Sequence, residues 1–166
     1  MRNDLLESIY LRYSKEIRLY LYVISKNETL ADDLTQETFL KALLSLPEDH
    51  PNVRAWLYTV ARNLYYNNRK KEKRIVSDEF PDREDDVHPR PEETLLASER
   101  DRALLRAVTE LEERKCEIVQ LHYFSGVPLK DAAALMGLTP ENVRVLLFRA
   151  KKELKTKLEA LGYDIP

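Results

Sequence analysis

The sequence predicts an all-α protein built as two small helical domains joined by an acidic linker. Apolar residues recur every three or four positions through most of the chain, which is the period of an amphipathic helix. Glycine is scarce, with 3 residues in 166, and no Asn-Gly pair is present, so tight β-hairpins lack the residues that their turns prefer. Between residues 75 and 93 the periodicity stops, which separates the two helical parts.

The composition restricts the classes of function that this protein can have. Charged residues make up 34% and hydrophobic residues 43% of the chain, and the formal net charge is only -2. A nucleic-acid-binding role therefore requires local segregation of positive charge. The single cysteine, Cys116, excludes an internal disulfide and fits a reducing cytoplasm. No apolar run reaches the length of a membrane span and the N-terminal segment has no hydrophobic core, so no signal peptide or anchor is expected and the predicted location is cytoplasmic.

The first two helices are predicted over residues 4–25 and from about Thr29 to Leu46. Thr29, followed three residues later by Asp32, has the form of a capping box. One face of the second helix is mostly acidic and polar, with an aromatic residue and a leucine beside it: Asp33, Gln36, Glu37, Lys41, Phe39 and Leu40. Such a face either docks a basic helical partner or is simply solvated, and the residues alone leave both open.

The stretch from Asn52 to Arg74 predicts a third helix with two contrasting faces. Its apolar stripe packs on a core: Val53, Leu57, Val60, Ala61 and Leu64. Its other side carries amides, a phenol and a run of cations: Arg62, Asn63, Tyr66, Asn67, Arg69, Lys70, Lys71, Lys73 and Arg74. Cations hold a phosphate backbone, while amides and aromatic rings bond to or stack on unpaired bases, so this face suits a nucleic acid. The alternative is a solvated basic face.

The acidic linker is predicted at residues 76–93, between a first domain at 1–75 and a second at 94–166. The stretch 75–93 contains eight acids, two cations and three prolines, without helical periodicity. One hypothesis is that it lies over the neighbouring basic helix as a weak autoinhibitory mimic of nucleic acid. The alternative is a spacer that its charge keeps soluble.

The second domain is predicted to resume helical structure at Thr94 and to end in a helix-turn-helix. Gly137 supplies a helix C-cap, and Thr139 with Pro140 supplies the N-cap and first turn of the next helix. That helix buries the stripe Val143, Leu147, Ala150, Leu154 and Leu158. Residues placed to meet a DNA groove or its phosphates are Thr139, Glu141, Asn142, Arg144, Val145, Arg149, Lys151 and Lys152. The alternative is an ordinary helical hairpin with a basic, solvated end.

The sequence contains little that indicates the active site of an enzyme. His50, His88 and His122, taken with Cys116, show no metal-ligand spacing, and no glycine-rich phosphate loop is present. His122 is expected to be a core or boundary histidine and Cys116 a buried small hydrophobe. No cofactor is expected.

Three segments, in order and at matching separations, resemble one family, the extracytoplasmic-function (ECF, group 4) sigma factors of the sigma-70 family, which are bacterial initiation subunits of RNA polymerase. ADDLTQETFLKAL at residues 31–43 is similar to region 2.2, and VRAWLYTVARNLYYNNRKKEKR at 53–74 is similar to regions 2.3 and 2.4. PLKDAAALMGLTPENVRVLLFRAKKEL at 128–154 is similar to region 4.2. The resemblance covers nearly the whole chain and implies a sigma-2-like helical bundle followed by a sigma-4-like helix-turn-helix domain.

The resemblance also implies roles for residues. Region 2.2 docks on the polymerase, which assigns core binding to Asp33, Gln36, Glu37, Phe39 and Lys41. Regions 2.3 and 2.4 open and read the minus-ten element, which assigns that role to Arg62, Asn63, Tyr66, Asn67, Arg69, Lys70, Lys71, Lys73 and Arg74. Asn63 matches an asparagine that helps to hold an unpaired minus-ten base, and Trp56 matches a packing residue. Region 4.2 reads the minus-35 duplex, which assigns that role to Thr139, Glu141, Asn142, Arg144, Val145, Arg149, Lys151 and Lys152.

The implied partners are core RNA polymerase, promoter DNA and an anti-sigma factor, often membrane-bound, that holds the protein inactive. Polymerase contacts are implied with the clamp helices of the largest subunit and the flap of the second largest. No direct membrane insertion is implied. The alternative, a free-standing helix-turn-helix regulator, explains residues 94–162 and leaves the motifs of the first domain without a purpose.

Two departures from the family pattern affect promoter preference. Arg144, Val145 and Leu146 stand where the family commonly has Lys-Ser-Arg. A contact of Val145 with a thymine methyl group is one interpretation, and whether Leu146 faces DNA or the core stays open. The loop SLPEDHPN lacks the glycine-aromatic texture often found before the third helix, so a minus-ten sequence preference is not carried over.

Overall fold

A computed structural model describes residues 3–76 and 98–163, which are helical and contain no strand. The chain divides into two compact units, Met1–His88 and Pro89–Pro166. The predicted linker lies outside the described residues from position 77 onward, as does the predicted helical start at Thr94, and neither is described further. The all-α prediction is confirmed for the two ranges that the structure covers.

Unit 1 is a bundle of three helices: α1 (Asn3–Ser25), α2 (Glu28–Ser45) and α3 (Val53–Val76). Each helix packs on the other two. The core is apolar and aromatic, and its fully buried members include Ile17, Tyr20, Leu21, Tyr22, Val23, Leu57, Tyr58 and Ala61. Burying large apolar side chains on one stripe of each helix is the main source of stability for such a bundle.

Charged groups join the helices of unit 1 at the edge of this core. Arg54 of α3 donates from Nε to Oε1 of Glu16 in α1 over 2.7 Å. Partial burial lowers the pKa of Arg54, but its hydrogen bond and charge interaction with Glu16 outweigh that effect, so the pKa is raised above its ordinary value. Arg18 of α1 pairs with Asp32 and Glu28 of α2.

The capping residue of α2 differs from the prediction. Lys26 ends α1 with a φ of 57°, and Asn27 follows in an extended conformation. Oδ1 of Asn27 accepts a hydrogen bond from the Leu30 amide over 3.0 Å, so Asn27 and not Thr29 is the N-cap. The predicted capping box is therefore wrong, since Asp32 is held by Arg18 of the neighbouring helix.

Unit 2 contains α4 (Glu99–Thr109), α5 (Glu113–Val119), a π-helical turn (Gln120–Phe124), α6 (Leu129–Met136) and α7 (Pro140–Ala160). Helix α7 packs on α4, α5 and α6. The segment RKCEIVQLHYF, closed by Ser125-Gly126, predicts one continuous helix through α5 and the turn. In the structure the last turn is instead wider than an α-helical turn, because the Ser125 amide donates to the carbonyl of Gln120, five residues back, over 3.1 Å.

The helix-turn-helix prediction is confirmed in detail. Gly137 ends α6 with a φ of 67°, a left-handed conformation that glycine adopts without a steric penalty. The Leu138 amide bonds to the Ala133 carbonyl over 2.9 Å and the Gly137 amide to the Ala134 carbonyl over 3.3 Å, which is the Schellman pattern. Oγ1 of Thr139 then accepts from the Asn142 amide over 3.1 Å and begins α7.

Candidate nucleic-acid interface

The solvent face of α3 carries the polar and basic residues that the sequence singles out. Asn63, Asn67, Lys70, Lys71 and Lys73 are exposed. The remaining described members, Arg62, Tyr66 and Arg69, are half-buried, and the side chain of Arg74 lies outside the description. Because positions three and four apart in a helix lie on one side, Asn63, Asn67 and Lys70 form a continuous row.

An aromatic group stands beside this row. The guanidinium of Arg62 lies over the ring of Tyr66, 4.5 Å from its centroid. The same ring meets Tyr65 edge to face, with 5.0 Å between centroids. Tyr65 is buried and donates from its hydroxyl to the Ile24 carbonyl over 3.2 Å. An arginine and a tyrosine stacked in this way offer a flat cationic surface to an unpaired base.

Trp56 lies two turns before Asn63, on the same side of α3. Its side chain is half-buried. Trp56 is therefore partly covered by unit 1, where the resemblance implies a packing residue, and partly accessible to solvent.

All but one of the residues that the sequence assigns to core-polymerase binding on α2 are exposed in the structure. Asp33, Gln36, Glu37 and Lys41 are exposed. Phe39 is only 5% exposed and lies edge-on against Tyr10 of α1, with 5.1 Å between ring centroids. The assignment of Phe39 to the docking surface is therefore wrong, because its ring belongs to the core of the bundle.

Leu40, which the sequence places beside this face, is joined by exposed apolar residues that the sequence did not single out. Leu40 and Leu44 of α2 are exposed, and so are Tyr10 and Leu11 of α1. Leu40 and Leu44 are four residues apart and interleave with Lys41 on the same side of the helix. The spacing of Leu44 from Gln36 and Glu37 was the sequence signal that could have identified it. The surface combines acidic and aliphatic groups, a mixture that protein interfaces use.

The solvent face of α7 contains every minus-35 residue that the sequence predicts. The exposed members are Thr139, Glu141, Asn142, Arg144, Val145, Arg149, Lys151 and Lys152. The predicted stripe of Val143, Leu147, Ala150, Leu154 and Leu158 is buried. Leu146 is half-buried between these two faces.

Some cations of α7 contact other residues of unit 2. Lys157 pairs with Glu110 at the end of α4 over 3.2 Å, and Lys115 of α5 pairs with Glu153. Lys151 lies 5.0 Å from the ring centroid of Tyr123. These contacts hold α7 against its neighbours. Within the part of the chain that the structure describes, Arg144, Arg149 and Lys152 carry no ion pair, and they remain available for phosphate groups.

An apolar groove of about 860 Å³ runs beside the later turns of α7. Its apolar lining includes Leu104, Tyr123, Phe124 and Phe148, and three lysines stand at its edge: Lys151, Lys152 and Lys155. Phe148, which the sequence did not single out, is exposed on α7. Its position beside Arg149, outside the buried stripe, was the signal that could have found it.

His122 and Cys116 lie where the sequence predicts them, while His88 lies outside the described residues. His122 is half-buried and its Nδ1 lies 2.9 Å from the Val127 carbonyl oxygen, while Cys116 is fully buried, as predicted for both. Among residues 3–76 and 98–163, no cluster of histidine, cysteine or acidic side chains could hold a metal ion. None of the helices in these ranges combines the length and apolar character needed to span a membrane.

Comparison with known proteins agrees with this arrangement. Residues 9–75 match the family Sigma-70 region 2, and residues 101–154 match Sigma-70, region 4. The chain is 30% identical over 154 residues to the ECF RNA polymerase sigma factor SigM of Bacillus subtilis (strain 168), covering 90% of this chain and 93% of the relative. It is 31% identical over 167 residues to the ECF RNA polymerase sigma factor EcfG of Rhodopseudomonas palustris (strain TIE-1), covering 99% and 88%.

A solved structure also resembles the chain. The sigma factor RpoE of Bartonella quintana, crystallised with the anti-sigma factor NepR, superposes with a TM-score of 0.77 at 26% identity, covering 92% of this chain and 96% of that one. Both family regions occur here in the expected order, so a free-standing helix-turn-helix regulator is not favoured. The chain belongs to the ECF sigma factors of the sigma-70 family, which direct promoter-specific transcription by RNA polymerase and are not enzymes.

Proposed function

We propose that this sigma factor divides its work among three surfaces. The exposed face of α2 binds core polymerase, the solvent face of α3 captures the melted minus-ten strand, and the solvent face of α7 reads the minus-35 duplex. The observation that carries the proposal is the row of exposed amides on α3 beside a stacked arginine and tyrosine. Solvation alone does not account for this face, because asparagines and a tyrosine add little solubility to a helix that already carries a run of five cations.

The α3 face acts on single-stranded DNA. The amides of Asn63 and Asn67 can donate to and accept from the edge of an unpaired base, and the ring of Tyr66 can stack on it. Each stacked base contributes roughly 1 to 3 kcal/mol, which offsets the pairing and stacking lost when the duplex opens. Lys70, Lys71 and Lys73 then hold the phosphate backbone.

The α2 face acts on the polymerase. Its carboxylates at Asp33 and Glu37 suit the basic side chains of a partner helix, and its leucines at positions 40 and 44 supply apolar area. The clamp helices of the largest subunit are the partner that the family resemblance implies. Lys41 lies in the same face and pairs with an acid of that partner.

The α7 face acts on duplex DNA. Arg144, Arg149 and Lys152 contact phosphates or base edges, and Thr139, Glu141 and Asn142 lie at the N-terminal end that enters the major groove. The apolar groove beside α7 receives the flap of the second largest subunit. Its lysine rim favours an acidic segment.

Regulation by an anti-sigma factor is part of the proposal. The similar sigma factor of Bartonella quintana was solved with its anti-sigma factor NepR. We assign this chain an anti-sigma partner that covers the same polymerase-binding and DNA-binding faces, and a cytoplasmic location, at the nucleoid when active and at the membrane when such a partner is membrane-bound.

The test is run-off transcription by core enzyme with the protein carrying Asn63→Ala. Binding to core is expected to remain normal and formation of the open complex to be lost, because the captured base loses its hydrogen-bonding partner. Asn3→Ala, at the start of α1, is the matched control for removal of an exposed amide. Undiminished initiation by Asn63→Ala would remove this residue from the minus-ten site.

A further inference from the structure

Two large apolar side chains stand exposed among the polar groups of the recognition helix. Val145 is 48% exposed and Phe148 is 68% exposed. Both lie within the first three turns after the N-cap Thr139, which is the part of a helix-turn-helix that meets base edges. Single exposed apolar residues need no explanation. An exposed pair one turn apart, in the segment that enters the major groove, indicates a contact with an apolar feature of DNA.

The helical geometry places Val145 at the centre of the DNA-facing side. The buried residues Val143, Leu147 and Ala150 define the opposite side. With 3.6 residues per turn, Val145 points roughly 180° away from the mean direction of the buried stripe, and Phe148 roughly 120° away. Arg149 and Lys152 continue the stripe of Val145, so two exposed cations follow it toward the C-terminus.

Phe148 sits at the edge of this side and also lines the apolar groove with Tyr123 and Phe124. Its ring borders the same groove as these aromatic residues and is largely exposed to solvent. Val145 does not line that groove, and its exposure is explained by neither packing nor the groove. Val145 is the principal residue of the pair.

The base-pair edges offer one apolar partner in the major groove, the C5 methyl group of thymine. The other features that distinguish the base pairs there are hydrogen-bond donors and acceptors, and cytosine has only a hydrogen where thymine has its methyl group. Pressing Val145 against a donor or acceptor would remove water from that group without replacing its hydrogen bond, which carries a free-energy penalty. Pressing it against a methyl group buries apolar surface on both sides.

We infer that Val145, supported by Phe148, selects thymine within the minus-35 element by contact with its methyl group. This specificity rests on the proposed function of α7 as the minus-35 reader. Arg144, Arg149 and Lys152 supply affinity through the backbone and through polar edges, whereas Val145 supplies discrimination at one or two base pairs.

The experiment begins with holoenzyme formed from the full chain and core polymerase, used to select a minus-35 element from duplexes randomised at that site. Each thymine of the selected element is then replaced by deoxyuridine, which lacks only the C5 methyl group. We expect wild-type holoenzyme to lose about fourfold in promoter affinity at one or two positions, the effect of exposing one methyl-sized group.

The variant Val145→Ser places a polar group at the same position. Holoenzyme carrying it is expected to bind thymine and deoxyuridine promoters equally at the sensitive position, and Phe148→Ala is expected to reduce the difference. Leu161→Ala removes an exposed aliphatic side chain beyond the end of α7 and should retain the full thymine preference. Both test residues are exposed, and circular dichroism checks that each variant is folded.

Three outcomes overturn the inference while leaving the proposed function intact: a selected element without thymine, no loss with deoxyuridine in wild type, or an unchanged loss in Val145→Ser. A scrambled minus-35 element distinguishes failure of this inference from failure of the proposed function of α7. If scrambling leaves promoter binding unchanged, α7 is not the minus-35 reader, and the proposed function of α7 and this inference fail together.

Discussion

The guanidinium of Arg62 lies 4.5 Å from the ring centroid of Tyr66, one helical turn further along α3. Tyr66 in turn meets Tyr65, whose hydroxyl donates to the Ile24 carbonyl in α1. The exposed edge of the proposed DNA-binding surface is thereby linked to the buried part of the bundle. A ring held in this way loses little conformational freedom when a base stacks on it, so more of the stacking free energy is retained.

Tyr66→Ala is therefore expected to lower the equilibrium constant for promoter opening by about 5-fold to 150-fold, the equivalent of roughly 1 to 3 kcal/mol for one stacked base. Tyr66→Phe keeps the ring and should open promoters nearly as well as wild type. The measurement uses a fluorescent base analogue in the minus-ten element. Equal losses for both variants would place the effect on the hydroxyl and contradict stacking.

Charge reversal on α2 should act at a different step. Asp33→Lys combined with Glu37→Lys replaces the two exposed carboxylates by cations, and we expect about a tenfold or larger loss of affinity for core polymerase. A fluorescence titration of labelled protein with core measures it, at low and high salt, since the loss should shrink as salt screens the repulsion. Glu48→Lys combined with Asp49→Lys, which reverses two exposed acids in the loop between α2 and α3, is the matched control. Retention of tight association would exclude this face as the docking site.

The backbone at Lys26 predicts an unusual stabilising substitution. A non-glycine residue at a φ of 57° carries a steric cost of about 1 kcal/mol or more, which glycine avoids. Lys26→Gly is expected to raise the free energy of unfolding of unit 1 by about 0.5 kcal/mol, after the entropy cost of glycine. Lys15→Gly, within α1, should instead lower it by about 1 kcal/mol. Urea titration followed by the fluorescence of Trp56, the single tryptophan, reports on unit 1. A loss of stability with Lys26→Gly would contradict this account.

The ion pair between Arg54 and Glu16 is expected to contribute modestly. The two side chains are 30% and 27% exposed, so solvent screens part of their attraction. A double-mutant cycle with Arg54→Ala and Glu16→Ala should give a coupling free energy of about 0.5 to 1 kcal/mol in the same urea assay. The raised pKa of Arg54 keeps the arginine charged, so its share of this stability is lost only as pH rises through that raised value. Strictly additive losses would show that the contact contributes nothing.

The sequence predicted the helix-turn-helix nearly residue by residue. Gly137, Thr139 and Pro140 act through capping and backbone conformation, which depend on neighbours in the chain. The buried stripe of α7 and the exposed amides of α3 also followed from periodicity, because a regular helix fixes which residues share a side. The π-helical turn at Gln120–Phe124 was not foreseen, since no local residue pattern distinguishes it from an ordinary last turn.

By itself, then, the sequence determined where the helices lie and which of their faces are polar, and its motifs identified the family. Only the tertiary structure decided that Phe39 lies in the core beneath Tyr10, that Asn27 caps α2 while Asp32 pairs with Arg18, and that Lys157 is held by Glu110. The physical reason is that helical period specifies which side chains stand together on one helix. Which of them are covered, paired or left to meet DNA depends on the residues that another helix brings against them.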